Sequence, residues 1–352
     1  MRITRLSVVW FALVWLLAAA AAQAENKLAS EVSPAGSSPT RRFLPVPAAA
    51  QAPIKITLGY AATGGQYINI FVAKELGIFD KHGLEVTLQF INSSAQTVAA
   101  LKSGSVHIAA GPAPTVIDAI AKGQTDFTFF GEAMPHTVLE VWVQPAIASV
   151  QDLRGKIISS TNPGSLGDRM IGIWLSKNGM KKTDVQVVYL GGLSNLVSAM
   201  KAKKTDATLI LPPLGEQLIP SGQKKLTDLR DIAYSNQAWM ATKNYVASDA
   251  EVIRRFVAAV IEATAMTKRD KKRAAQVLAK YTGVTNPEWN EYAYDFYTPL
   301  LEKVPRISIE VMKETQELSP DESARKIDLK PYIDNSFIDR LQKEGYIDSV
   351  YK

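Results

Sequence analysis

Hydrophobic and polar positions along this chain repeat in two rhythms, and the switches between them mark the elements. Period two runs through Ile54-Lys55-Ile56-Thr57-Leu58-Gly59-Tyr60 and again through Leu84-Glu85-Val86-Thr87-Leu88-Gln89-Phe90, which predicts two strands. Between them Ile68, Phe71, Val72 and Leu76 fall on one helical stripe that Gly77 is placed to end. Ser93-Ser94-Ala95-Gln96 has the spacing of a capping box opening the next helix. Strands are expected over Val106 to Ala110 and Asp126 to Phe130. A second series starts near Val150, with strands over Lys156 to Ser160, Val185 to Leu190 and Asp206 to Leu211 and helices from about Leu166 and Ser194. Beyond Ser248 the rhythm is almost wholly helical, with Val252, Phe256, Val257, Val260 and Ile261 on one stripe and helices near Pro287 to Glu302 and Pro331 to Lys343. Alternating strands and helices predict an α/β fold with largely parallel sheets, in two blocks followed by a helical tail.

An internal echo supports two blocks. Val98-Ala99-Ala100-Leu101-Lys102 is matched by Val197-Ser198-Ala199-Met200-Lys201, which sets His107 opposite Asp206. The length of 352 residues suits two packed lobes, and 47% hydrophobic with 21% charged residues is the balance of a water-soluble globular chain. The net charge is +6, of which Arg2 and Arg5 lie in a segment expected to be removed. So small and scattered an excess is no nucleic-acid footprint. The one dense run, Lys268 to Arg273, reads as a solvated turn between helices, with a docking patch as the alternative. No cysteine is present, which removes disulfides, thiolate metal sites, a cysteine nucleophile and a lipidated N-terminal cysteine.

Residues 1–24 have the three parts of a secretory signal: Arg2 and Arg5, an apolar stretch from Leu6 to about Ala21, and Ala22-Gln23-Ala24 as the cleavage site. Cleavage after Ala24 and a periplasmic, monomeric product are the expectation; an uncleaved anchor is the alternative, though its apolar run is short for a span. Residues 25–53, rich in Ala, Ser and Pro, read as a disordered leader. Ala50-Gln51-Ala52 repeats the cleavage pattern and leaves a second start near Pro53 open.

Several ordered stretches carry a family resemblance. Ala73-Lys74-Glu75-Leu76-Gly77-Ile78-Phe79, His82-Gly83-Leu84-Glu85-Val86 and Ala99-Ala100-Leu101-Lys102-Ser103-Gly104 come first. Asp206-Ala207 with Pro212-Pro213, then Ala241-Thr242-Lys243-Asn244-Tyr245 before Glu251-Val252-Ile253-Arg254-Arg255-Phe256, follow. Together they resemble the nitrate, sulfonate, taurine and thiamine-pyrimidine-precursor family of ABC-transporter binding proteins, over roughly Ile54 to Tyr281. The resemblance implies a two-lobed periplasmic-binding-protein (Venus-flytrap) fold in which crossing strands act as a hinge. It places one lobe at 54–140, the other at 141–236, and a return to the first lobe with C-terminal helices over 237–352. It also implies a small-molecule ligand and an ABC transporter permease as partners, no cofactor and no catalysis. Val106-His107-Ile108 departs from the family, which usually carries an acid at the middle position.

Open parallel sheets bind ligands beyond the carboxyl ends of their strands. That rule nominates Thr63, Gly64, Gln66 and Tyr67 after the first strand, the Asn92 loop with Ser93 and Ser94 after the second, and Gly111 and Pro112 after the third. In the second block it nominates Gly164, Ser165 and Gly191, and Glu132 and Trp239 flank the presumed crossing. Plainer readings stand beside these: Ser93 and Ser194 as helix caps, Gly191 in a turn, Tyr67 and Trp239 as core, Glu132 in the hinge. The helix starting near Ser165 is expected to hold an anionic group at its N-terminus, with Asp168 in the same turn as the argument against. Three histidines, no Gly-x-Ser-x-Gly elbow, no His-Glu-x-x-His pair and no phosphate loop speak against an enzyme. The competing classes are an enzyme like the fungal thiamine-pyrimidine synthases, which rely on a cysteine-rich segment, and a ligand sensor for a membrane receptor.

Overall fold

The computed structural model describes residues 52–91 and 93–352. The signal segment, its cleavage site, all but the last two residues of the leader, and Asn92 lie outside the described residues.

Ten strands form two five-stranded sheets. They are β1 (Ile54–Tyr60), β2 (Leu84–Phe90), β3 (Ile108–Gly111), β4 (Thr128–Glu132), β5 (Glu140–Val143), β6 (Ile157–Ser160), β7 (Gln186–Tyr189), β8 (Ala207–Ile210), β9 (Lys224–Asp228) and β10 (Ala238–Ala241). The first sheet has the order β2-β1-β3-β10-β4 and the second β7-β6-β8-β5-β9. Each therefore has three parallel strands, a fourth that runs against them, and an outer strand beyond it. The fourth strand comes from the opposite half of the chain: β10 enters the first sheet late, and β5 enters the second early. The sheets are thus mixed rather than largely parallel, because each lobe must take in the strand through which the chain crosses.

The strands the alternation predicts are present, with ends moved by a residue or two. The helices at Leu166–Lys177 and Ser94–Ser103 start where expected, and Ser93 caps the latter by accepting from Gln96 N. The helix Leu193–Lys201 starts one residue earlier than expected, with Gly192 at its cap and no bond from Ser194 to a helix-end N–H. Helix Pro287–Tyr297 ends before Glu302 and passes into a 3-10 turn over Thr298–Leu300. A second 3-10 turn, Lys330–Tyr332, leaves Ser336–Lys343 as the helix proper.

The first sheet is buried on both sides. One face meets helices Ile68–Glu75 and Ala250–Arg269. On the other, Val116, Ile117 and Ile120 close over Phe127, Phe129 and Met240, together with Ile307, Met312 and Leu329 from the C-terminal tail. In the second lobe Trp142, Leu196, Val197, Met200, Leu214 and Leu218 form a smaller cluster that Val284 joins. Helix Pro287–Tyr297 packs on helix Lys271–Thr282, and its Trp289 also packs against this second-lobe cluster. The basic run is a helix junction: Asp270 caps the second helix through Arg273 N, and Lys271 Nζ lies 2.7 Å from Asp295 Oδ2.

Candidate functional site

Two extended segments connect the sheets. Residues 133–139 lead from β4 to β5 and residues 229–237 return from β9 to β10. They run antiparallel, with Ala133 N donating to Gln237 O (3.1 Å), Tyr234 N to Pro135 O (3.2 Å) and Thr137 N to Ile232 O (3.1 Å). A pair of crossing segments of this kind lets two lobes open and close by small backbone rotations. The loops after β1 and β3 in one lobe and after β6 and β8 in the other meet in the space between.

The lobes are in contact there. Arg169, one turn into helix Leu166–Lys177 of the second lobe, donates from Nη2 to Asp118 Oδ2 of the first at 2.6 Å. A Cβ on Gly64 would lie 2.8 Å from Leu211 Cδ1, and one on Gly65 2.3 Å from the Tyr297 ring, so glycine is needed for close approach rather than for an unusual φ. The Tyr297 hydroxyl donates to Pro212 O at 2.9 Å.

Polar atoms converge on this contact without all finding partners. The Arg169 side chain is only 9% exposed; its Nε donates to Gly164 O at 3.1 Å, and Nη1 is buried with no acceptor. Tyr67 OH and Gln66 Oε1 are likewise buried and unpartnered. Leaving a buried donor unmade costs about 1–3 kcal/mol, more for a charged group. The Tyr67 hydroxyl points at Gly111, 3.8 Å from where a Cβ would stand. Burial raises the pKa of Tyr67 and Tyr234 well above the ordinary phenol value, so both stay neutral donors; Tyr234 also lies in the opposing fields of Arg169 and Asp118. A recess within the first lobe, lined by Tyr60, Ala61, Thr97, Gly111, Thr115 and Met240, has room for about one water (≈ 10 Å³). A larger groove of ≈ 520 Å³ lies at Trp174, Lys177 and Asn178, the end of helix Leu166–Lys177 away from the cleft, and is not this site.

The helix N-terminus at Ser165 is already satisfied by its own side chains. Ser165 Oγ accepts from Asp168 N at 3.3 Å, and Asp168 accepts from Gly164 N (2.9 Å), Lys182 Nζ (2.5 Å) and Tyr189 OH (2.8 Å). Burial pushes the Asp168 carboxyl up, but these partners outweigh it and hold it below the usual carboxylate range. A second anion at that end would meet this fixed charge, while Arg169, in the same first turn, carries its cation to the contact between the lobes.

Of the nominated residues, the structure brings Gly64 to the interlobe contact, with Gln66, Tyr67 and Gly111 buried behind it and Thr63 and Pro112 partly buried in the same loops. Ser94 is exposed and hydrogen-bonds Thr115 (3.2 Å) at the rim of the recess, while Ser93 serves as a cap. Gly164 accepts from Arg169, and Ser165 caps its helix beside Ser160. Gly191 is exposed at positive φ in the turn after β7. Trp239 is fully buried, edge-on to Phe256 and tilted against Phe130, with Gly131 beneath its ring. Glu132 is fully buried under the crossing, near Ser235 and Glu302, and burial pushes its carboxyl up to about 8. The sequence reading missed Asp118, Arg169, Leu211, Tyr234 and Tyr297. The available signal was position: Asp118 and Arg169 both fall within the first two turns of helices that follow nominated loops.

His107 has a structural task. Its Nδ1 accepts from Thr57 N at 2.9 Å, and in the other lobe Asp206 Oδ2 accepts from Ile157 N at 2.8 Å. The imidazole does in the first lobe what the Asp206 carboxylate does in the second.

Among the described residues no group of three His, Asp or Glu could hold a metal ion. Two mixed sheets joined by crossing segments, with the C-terminal helices described above, define the periplasmic-binding-protein fold. The chain belongs to the NMT1/THI5-like family, whose model matches residues 65–274. It is 28% identical over 255 residues to a protein of Brucella abortus named as a binding protein, covering 69% of this chain and 76% of that one. It is 26% identical over 247 residues to a protein of Escherichia coli named as an aliphatic sulfonates-binding protein, covering 68% and 75%. The fold is shared with the alkanesulfonate-binding protein SsuA from Xanthomonas axonopodis bound to MOPS, at 20% identity and TM-score 0.67 over 80% of this chain and 98% of that one. It is shared as well with the desulfurization enzyme DSZB, at 16% identity and TM-score 0.62 over 82% and 99%.

Proposed function

We propose that this protein is the periplasmic solute-binding component of an ABC importer. It captures a small polar or anionic organic molecule, with a sulfonate, nitrate, pyrimidine or aromatic acid as the candidate classes, between its two lobes and presents it to a membrane permease. The observation that carries this reading is Arg169: a guanidinium nine-tenths buried at the contact between lobes, with one nitrogen unpartnered and its charge acting on the buried Tyr234 hydroxyl. A cation in that setting favours an anionic group on the solute, and lobe closure completes the site from both sides. The names of the Escherichia coli relative and of the Xanthomonas structure support a sulfonate among these classes. No helix of the described residues is long and apolar enough to cross a membrane, which agrees with a chain that works free of the bilayer once cleaved after Ala24.

Thermal-shift screening and calorimetry against MOPS, ethanesulfonate, nitrate, uracil and benzoate test the reading. A true ligand at 100 times its Kd adds about 2.7 kcal/mol of stability. Arg169→Ala is expected to weaken an anionic ligand by a hundredfold or more while the fold survives, from the loss of a buried charge-assisted bond of about 3 kcal/mol. Binding of an anion with unchanged affinity in Arg169→Ala refutes the assignment of the cleft.

A further inference from the structure

Arg169 reaches across the cleft with three nitrogens in three different situations. Nε is held by Gly164 O of its own lobe, Nη2 by Asp118 of the opposite lobe, and Nη1 by nothing. A guanidinium binds an oxyanion best with two parallel N–H bonds. An oxyanion that bridges Nη1 and Nη2 meets the Asp118 carboxylate already on Nη2. Two like charges on one fork repel, and the protein interior screens them weakly.

Asp118 is placed to give way. It sits in helix Pro114–Ala121 with its side chain 30% exposed, and its other oxygen has only a long contact, 3.5 Å, from Ser319 Oγ. The bond from Arg169 to Asp118 spans the two lobes, so parting them to admit a solute breaks it. Asp168, the other carboxylate near Arg169 in sequence, is engaged by Lys182, Tyr189 and Gly164 N and does not compete.

We propose that Asp118 is a built-in counter-anion: it ties the second lobe to the first through Arg169, competes with the anionic group of the solute for that guanidinium, and so sets which solutes can close the cleft. The proposal rests on the reading of Arg169 as the solute's cation. Solutes with a strong, compact anionic group displace Asp118, and weaker or neutral ones do not.

The test is Asp118→Asn, which keeps the shape and removes the charge, with Asp118→Ser as a second variant should the amide fold poorly. Two measurements are made on the full mature chain: calorimetry with MOPS, ethanesulfonate, nitrate and uracil, and small-angle scattering without added solute. The expected result is affinity for the anion that binds raised by about tenfold, the worth of one half-buried ion pair, with uracil unaffected, and a larger radius of gyration than wild type. Anion affinity unchanged or lowered overturns the proposal. If none of the four solutes binds either protein, the solute reading of Arg169 fails by itself; scattering then decides the tie, with expansion supporting it and an unchanged radius refuting it.

Discussion

The two lobes share one strand order and solve the same problems with different residues. In each, a helix of the same register leads into a strand whose first polar residue binds back to the neighbouring strand: His107 to Thr57 N in the first lobe, Asp206 to Ile157 N in the second. In each, an indole lies against a glycine, Trp239 on Gly131 and Trp142 on Gly215, where an added Cβ would come within 2.3 Å and 2.2 Å of the ring system. In each, burial pushes one glutamate up to about 8, Glu132 in the first and Glu216 in the second. The lobes differ in how these groups are partnered. Trp239 Nε1 is unpartnered inside an apolar core, whereas Trp142 Nε1 donates to Glu140 at 3.0 Å, and Glu140 also accepts from Lys225 and Tyr292. In the first lobe the tail covers the second face of the sheet, and buried Asn69 hydrogen-bonds Gln237 and Thr264 on the other side. The second lobe is thinner, with exposed residues in β7 and β9, and uses a buried polar cluster to hold helix Pro287–Tyr297.

The largest expected effect removes the indoles. Trp239→Ala and Trp142→Ala should each cost about 3–5 kcal/mol by denaturant unfolding. Phenylalanine should separate the lobes: Trp239→Phe loses no hydrogen bond, while Trp142→Phe deprives buried Glu140 of a donor and should cost more. Equal costs for the two Phe variants would show that the polar cluster adds nothing to the second lobe.

Next in size is the pH response. A carboxyl whose folded pKa is raised from the usual 4.5 to about 8 gives stability that is full below about 4.5 and is lost as pH rises toward 8. Glu132 is raised by burial above all, against a bond from Ser235, and the loss there reaches up to about 4 kcal/mol. Glu216 is raised to the same extent, by burial and then by Glu140, with Lys225 opposing. Melting temperature should therefore fall between pH 5 and 8, and Glu132→Gln and Glu216→Gln should each flatten that slope. A slope that neither variant changes would mean that both acids ionise without penalty.

The smallest effect concerns the strand-to-strand acceptors. His107→Leu and Asp206→Leu each leave one N–H of a partly buried strand without its partner, for about 1 kcal/mol. His107→Asp should recover the loss, since the carboxylate in the other lobe accepts the equivalent bond. If His107→Asp unfolds at lower denaturant than His107→Leu, the imidazole has a task beyond accepting that bond.

Sequence alone determined the class and order of elements, because alternation and the helical stripe report burial on one face, and burial is local to an element. It found the parallel strands of both lobes, the main helices and the loops at the strand ends. It did not find β5, β9 and β10. Glu140-Val141-Trp142-Val143 and Ala238-Trp239-Met240-Ala241 are buried at every position, so they show no alternation, and their partners lie far away in the chain. The core position of Trp239 and the acceptor role of His107 also depended on those distant partners. At the site, glycine and tyrosine in the first loop were legible, since a strand-end loop announces itself by composition. Asp118 and Arg169 were not, because nothing within either helix distinguishes them from solvated charges. Only the meeting of the two lobes, which joins residues 51 positions apart in sequence, buries the guanidinium, sets it on one carboxylate and leaves one of its nitrogens unpaired. Side-chain burial of a charge is a property of the assembled pair of lobes, and the tertiary structure decided it.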